Sequence, residues 1–449
     1  VDEFFSHLAD VEQNPHLPVW SGELYLEMHR GTYTSIAKNK KHNRMCEFAY
    51  QKAEQQSVLA GILCNIDYPA ERLHKGWERI LLYQFHDIIP GSSIKEVYDD
   101  CDQIYPQVLE NARRIIHSAQ QAIAARIQTN GGVLVFNPHS FPCSSTVRVN
   151  GETCFAQNIP PLGYAVVAPK HSDGSIQVQQ YSAENRYFRL HFDAHYNLMS
   201  IFDKEAQREV LDLSKGLGNQ LEVYEDFPRD YDAWEITNYY KEKRYLVNDV
   251  TEAEAVHDGV RAGIRIRRKF LTSEIVQTIW LYEDIKKTDF ETMIDWKQEH
   301  LLLKAAFPVS INSNRATYEI QFGTVERPTH SNTSWDAAKF EVCAHKYCDY
   351  SEYGYGVALM NDCKYGHDVH DGVMRLTLLK SATYPNPDAD RCMHTFTYSL
   401  APHIGDYREA GIVQMAYDLN QPMEAIPVNQ QAGALADSYS LAQVSEANV

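Results

Sequence analysis

The hydrophobic period of this chain switches once, at Asn130-Gly131-Gly132, and that switch narrows the folds open to it. Before it, apolar residues recur at three- and four-residue steps. Met45, Phe48, Ala49, Val58, Leu59, Ile62 and Leu63 predict an amphipathic helix over about 39–65, which Pro69 breaks. Leu73, Trp77, Ile80, Leu81 and Phe85 predict a second, stopped by Pro90-Gly91. A third opens at Ser93-Ile94-Lys95-Glu96, a capping-box pattern in which a Ser oxygen takes one orphan amide and Glu returns to the cap amide. It runs to about 128, with Pro106 expected to kink or split it. After the switch the period falls to 2. Short strands are expected at 133–136, 146–149 and 164–167, and longer ones at 187–192, 260–280, 290–296, 318–322, 357–359, 374–379 and 395–399. The expected fold class is therefore α+β: an antiparallel three-helix bundle followed by antiparallel β-sandwich domains. Residues 1–20 read as an irregular linker or the end of a preceding region, 21–128 as the bundle, 129–170 as a small β domain, and 171–449 as a large β-sandwich cut short at its end.

Composition removes several partner classes. The 449 residues carry a net charge of −18, so a phosphate backbone or an anionic membrane surface would meet repulsion; neither nucleic acid nor membrane is expected as a partner. Nine cysteines, odd in number and without a C-x-x-C, indicate neither a disulfide framework nor a zinc ribbon, and point to a reducing, cytoplasmic location. The sequon Asn332-Thr333-Ser334 is too short a pattern to weigh against that. No apolar run approaches the roughly 18 residues of a membrane span. G-x-S-x-G, P-loop, G-x-G-x-x-G and H-E-x-x-H motifs are all missing, which disfavours an α/β-hydrolase, an NTPase, a Rossmann enzyme and a zincin.

Four segments carry candidate chemistry. In Gln84-Phe85-His86-Asp87-Ile88-Ile89-Pro90-Gly91-Ser92-Ser93 a helix is expected to end just after a His-Asp pair, which would hold a metal ligand or substrate clamp at a bundle end. The alternative is a structural histidine at a helix C-terminus. One histidine does not make a metal site. The segment 22–35 alternates apolar with polar and either presents Glu23, Glu27 and His29 on one side or forms an exposed edge strand. Asp226-Phe227-Pro228-Arg229-Asp230-Tyr231-Asp232-Ala233-Trp234-Glu235 sets carboxylates beside aromatics, a pairing that binds sugars by hydroxyl hydrogen bonds and stacking. Its alternative is a solvated or docking loop. His367-Asp368-Val369-His370-Asp371, between Gly366 and Gly372, reads as a polar hairpin turn, and His191 and His195 read as structural.

Together these segments resemble the family 38 glycoside hydrolases, the retaining α-mannosidases. The resemblance rests on Gly22-Glu23-Leu24-Tyr25-Leu26-Glu27, His29-Arg30-Gly31-Thr32-Tyr33-Thr34 and Gln84-Phe85-His86-Asp87-Ile88-Ile89-Pro90-Gly91-Ser92. Tyr231-Asp232-Ala233-Trp234, Glu326-Arg327-Pro328-Thr329-His330, Asn332-Thr333-Ser334-Trp335-Asp336, Tyr355-Gly356-Val357-Ala358-Leu359-Met360-Asn361-Asp362 and Lys364-Tyr365-Gly366 extend it, and the set is similar to the cytosolic, vacuolar and bacterial branch. The resemblance implies that His86 is the last ligand of one divalent metal, zinc with cobalt as the alternative, and that Asp87 holds substrate hydroxyls. Asp232 and Trp234 would also bind substrate, with Glu27, His29, Arg30 and Tyr33 as further contributors. No Gly-His-x-His-x-Asp or Asp-x-Phe-Gly run is found here. The other ligands, the nucleophile and the acid/base carboxylate are therefore expected in an upstream catalytic domain of the same polypeptide.

What the resemblance then implies is part of an enzyme that hydrolyses terminal α-linked mannose from mannose-containing oligosaccharides, this chain alone being inactive. Retention needs two carboxylates about 5–5.5 Å apart, and a metal chelating the 2- and 3-hydroxyls would select mannose by its axial 2-hydroxyl. The rival reading is a non-catalytic carbohydrate-binding or assembly module built from the same domains. Self-association is left open.

Overall fold

The computed structural model of the chain describes residues 1–444 and mixes α-helices with antiparallel sheets. Among the described residues six α-helices form: α1 Asp2–Glu12, α2 Ala37–Cys64, α3 Ala70–Tyr83, α4 Lys95–Ala124, α5 Ser334–Ala338 and α6 Ile412–Asn420. The first corrects the expectation of an irregular N-terminal stretch. Asp2 and Glu3 in its first turn complement the helix dipole, and no proline intervenes before Pro15.

Helices α2, α3 and α4 share one core. Cys46, Tyr50 and Ala53 of α2 meet Leu73, Ile80 and Tyr83 of α3 and Tyr98, Cys101, Tyr105, Val108 and Ala112 of α4. Gly76 lets α3 lie on Tyr50, because a Cβ there would run into the ring. One local expectation fails, and one half of another does. The capping box at Ser93 does not form: α4 starts one residue later than that pattern requires, behind Ile94, which makes no side-chain cap, and the Ser93 N–H goes to the Tyr98 hydroxyl at 3.0 Å. Pro106 does not split α4, which continues from Lys95 to Ala124. It removes one N–H, but Cys101, Tyr105, Val108 and Leu109 on either side are buried in the shared core, and that burial outweighs the lost bond. The capping box that does form is at α5, where Thr333 and Asp336 bond reciprocally.

All the strand ladders are antiparallel, in sheets of nine, six, five, four and two strands. A single hydrophobic cluster takes residues from the three largest sheets, among them Phe290, Leu303, Phe307, Tyr398, Leu359 and Leu190. The strand Leu301–Pro308 has no period-2 alternation because every one of its positions is buried, and the alternation rule passes over it. The four-stranded sheet is non-local. Strands Thr129–Asn137 and Gly163–Val167 are completed by Glu424–Gln431 and Ser438–Ser440, so the end of the stretch read as 171–449 folds back onto the earlier β segment. The last five residues of that stretch lie outside the described ones.

All nine cysteines are unpaired. No helix among the described residues is long and apolar enough to cross a membrane.

Candidate functional site

Helix α3 stops at Tyr83, three residues before His86, so the His-Asp pair sits on a turn and not on the helix end the sequence suggested. The turn is held from below. The N–H groups of Ile88 and Gly91 bond to the carbonyls of Phe85 and Ile88 at 2.8 and 3.1 Å. Tyr98 donates its hydroxyl to Ile88 O at 3.2 Å. Buried Lys40 donates to Ile89 O at 2.9 Å, to Pro90 O at 3.1 Å and to Ser35 O at 2.5 Å. Gly91, at φ +90°, lies where a Cβ would strike the Ser35 carbonyl. On this fixed backbone the His86 and Asp87 side chains are 78% and 54% exposed, with Nε2 and Oδ2 3.6 Å apart.

The segment 22–29 is not an edge strand. Residues 23–29 are irregular, and the first regular element is the 3-10 turn Arg30–Tyr33. Glu23 pairs with Arg327 through two bonds of 2.8 and 2.6 Å, and that hydrogen bonding to the guanidinium pulls its carboxyl below the ordinary value against the effect of burial. Glu27 stays exposed, its carboxylate 3.7 Å from Arg30. His29 Nδ1 lies 3.2 Å from the Glu27 carbonyl. Arg30 is buried, bonds both Glu235 oxygens at 3.2 Å and the Ala338 carbonyl at 2.9 Å, and stacks over Phe340. Tyr33 is half-buried, and burial raises its hydroxyl pKa. Arg30 is thus occupied by structural partners, while Glu23 and Glu27 line one cavity beside Trp20 and Trp335.

The 230–235 loop reaches the same region from the β-sheets. Trp234 O accepts the Gly31 N–H at 2.7 Å, and Ala233 O accepts the Ser35 hydroxyl at 2.6 Å. Ser35 therefore joins three segments: the 3-10 turn, the His86 turn through Lys40 and Gly91, and this loop. Trp234 packs half-buried on the shared helical core, with Tyr231 meeting it edge-on at 6.1 Å. Asp232 Oδ2 accepts the Thr383 N–H at 2.6 Å, so much of its accepting capacity goes to the loop's own support. Below it lie Lys380, paired with Asp226, and His300, whose Nδ1 is 3.6 Å from Asp232. Burial raises the Asp226 carboxyl pKa against the pull of Lys380. Asp226 Oδ1, Asp232 Oδ1 and His300 Nδ1 are buried without hydrogen-bond partners. The sequence reading missed Lys40 because it stands among ordinary helical lysines, in Lys38-Asn39-Lys40-Lys41, and Lys380 because it is a lone lysine at the end of a strand pattern.

The polar turn expected over 367–371 is another correction. His367 and Asp368 are fully buried in the strand Gly366–His370, and Asp371 and Gly372 make the reversal. Asp368 accepts from Lys304 at 2.8 Å and from Arg375 at 3.2 Å, beside Glu341, which also takes Lys304. His367 is held neutral by burial, its pKa lowered to about 3.

Among the described residues, the His, Cys and carboxylate groupings close enough to hold an ion are His139 with Cys143 and Asp418, and Glu152 with Cys154 and His171. His86 belongs to neither. It fits a metal only as one ligand of a set completed from outside these residues.

The family model for the α-mannosidase middle domain matches residues 27–123, and that for the glycosyl hydrolases family 38 C-terminal domain matches 183–388. Human alpha-mannosidase 2C1 is 35% identical over 99% of this chain, and the alpha-mannosidase of Saccharomyces cerevisiae is 33% identical over 94%. The chain spans 44% and 39% of their respective lengths. The crystal structure of an alpha-mannosidase from Enterococcus faecalis superposes with a TM-score of 0.83 over 98% of this chain and 63% of that one, at 15% identity, which speaks for a shared fold. With two domain models matching in order around the His86 turn and the 230–235 loop, the chain belongs to glycoside hydrolase family 38.

Proposed function

We propose that this chain supplies one metal ligand and one wall of a retaining α-mannosidase site that removes terminal α-linked mannose from oligosaccharides. His86 is the ligand contributed here, and Asp87 accepts hydrogen bonds from sugar hydroxyls. Trp234 and its neighbour Tyr231 form the wall, and Asp232 holds that loop through Thr383. The metal, zinc or cobalt, would supply chelation of the 2- and 3-hydroxyls. The nucleophile, the acid/base carboxylate and the other ligands come from an upstream domain of the same polypeptide. We read α2, α3 and α4 as an antiparallel three-helix bundle whose end presents the turn, and the unpaired cysteines as support for a reducing, cytoplasmic setting.

The carrying observation is the His86 turn itself: two exposed polar side chains on a backbone locked by Lys40 and Tyr98. The surface around it supports a covering domain, since Leu81, Leu82, Phe85 and Ile94 are each more than half exposed. Hydrolysis of an aryl α-mannoside, with zinc or cobalt added, tests the reading on this chain and on the complete polypeptide. Turnover is expected from the complete polypeptide alone. Chelator-sensitive turnover by this chain would overturn the division of labour, and none from the complete polypeptide would favour the rival module that binds carbohydrate or assembles without catalysis.

A further inference from the structure

We infer that His139, Cys143 and Asp418 form a second divalent-metal site, of zinc type, that ties helix α6 to the turn between strands Thr129–Asn137 and Cys143–Val149. It shares no residue with the proposed mannosidase site. His139 Nε2 lies 3.9 Å from Asp418 Oδ1, Cys143 Sγ lies 3.8 Å from the same oxygen, and all three ligand atoms fall within 4.8 Å of one another. Zinc bonds of about 2.0–2.3 Å in a tetrahedron place ligand atoms roughly 3.3–3.6 Å apart, so closure on an ion asks the two measured pairs to shorten by about half an ångström or less and the third by up to about 1 Å.

The independent observation is His139 itself. It is 3% exposed, and its Nε2 has no hydrogen-bond partner although it faces a carboxylate and a thiol. An unpaired buried nitrogen is costly, and a metal bond would satisfy it. The surroundings hold the ligands in place. The His139 ring stacks on Phe141 at 4.8 Å with planes 2° apart. Asn137 accepts the His139 N–H at 2.9 Å and donates to the carbonyls of Phe141, Ile159 and Pro160 at 2.9, 3.0 and 3.1 Å. Ser145 donates its hydroxyl to the second Asp418 oxygen, fixing the carboxylate from behind.

Charge and softness select the ion. One thiolate, one carboxylate and a neutral imidazole around a divalent cation sum to zero, which suits a buried place. The sulfur and imidazole donors favour zinc or cobalt over magnesium or calcium. Binding replaces the thiol proton of Cys143, which passes to solvent, so affinity falls as pH falls. Burial and the neighbouring Asp418 keep that thiol protonated until a metal arrives.

The test uses this chain, stripped with a chelator and titrated with cobalt chloride. One equivalent should produce a thiolate-to-cobalt charge-transfer band, displaced by zinc chloride, and zinc should raise the thermal midpoint. His86→Ala and Cys154→Ser should keep the band. Cys143→Ser should abolish it, and Asp418→Asn, the milder change if Cys143→Ser folds poorly, should weaken binding by at least about tenfold. A missing band, one that survives Cys143→Ser, or one lost in Cys154→Ser would each overturn the site.

Discussion

Replacing Lys40 by Met tests how the His86 turn is held. The methionine retains most of the stem, so packing changes little, but three carbonyls, those of Ser35, Ile89 and Pro90, lose their donor. Bonds from a charged donor are worth about 1.5–3 kcal/mol each. Part of that is returned, because burying the ammonium is itself costly: burial pulls the Lys40 pKa down to about 7, with Asp390 opposing. The net loss should be on the order of 2–4 kcal/mol, read from urea unfolding. Hydrogen exchange of the 86–91 amides should accelerate more than exchange elsewhere in the helices. The pH dependence adds a second signature. With a folded pKa near 7 and an ordinary unfolded value of 10.5, the unfolded chain binds more protons between those limits, so stability attributable to Lys40 rises with pH across that window. Lys40→Met should flatten that rise. A loss below about 0.5 kcal/mol, the range of an exposed ion pair, together with unchanged exchange at 86–91 would refute the claim that Lys40 anchors the turn.

Acid should destabilise the fold through His367 and His394, both held neutral by burial with pKa values lowered to about 3. The unfolded chain takes those protons near pH 6.5, so stability should fall as pH drops from about 6.5 towards 3, and His394→Gln should shallow the fall in urea midpoints. In the complete enzyme, Asp87→Asn should keep the thermal midpoint and metal content while lowering kcat/KM by about tenfold to a thousandfold, on the order of 1.4–4 kcal/mol; an unchanged kcat/KM makes Asp87 structural only. Asp232→Ala should cost stability, about 1–3 kcal/mol, because it orphans the Thr383 N–H. Tyr231→Ala, at an exposed ring, should raise KM with the midpoint intact; the opposite pattern would mean that the loop serves docking alone.

What the sequence made legible were features set by neighbours close in the chain. The three helical runs of 39–128 and most of the alternating strands follow from local period, whereas the helix stop read at Pro90-Gly91 falls earlier, at Tyr83, which leaves His86 on the turn. The misses have non-local causes. Leu301–Pro308 shows no alternation because every one of its positions is buried, and Asp368 looked like a turn residue because its partners, Lys304 and Arg375, are invisible to a local pattern. Pro106, expected to kink or split its helix, does not split it, because core contacts on either side hold it continuous. The convergence of Ser35, Gly91 and Ala233 depends on contacts up to 198 positions apart. Similarly, His139 and Cys143 become a candidate metal site only when Asp418, 275 positions after Cys143, returns to them.

The most direct test of the account is metal-dependent hydrolysis of an aryl α-mannoside by the complete polypeptide, with and without His86, measured against bound metal. If His86 is a ligand of the catalytic ion, His86→Ala should lose one equivalent of metal and at least about a hundredfold in rate, while the ion attributed to Cys143 stays bound. An enzyme that keeps its full metal content and its rate without His86 would contradict the central claim.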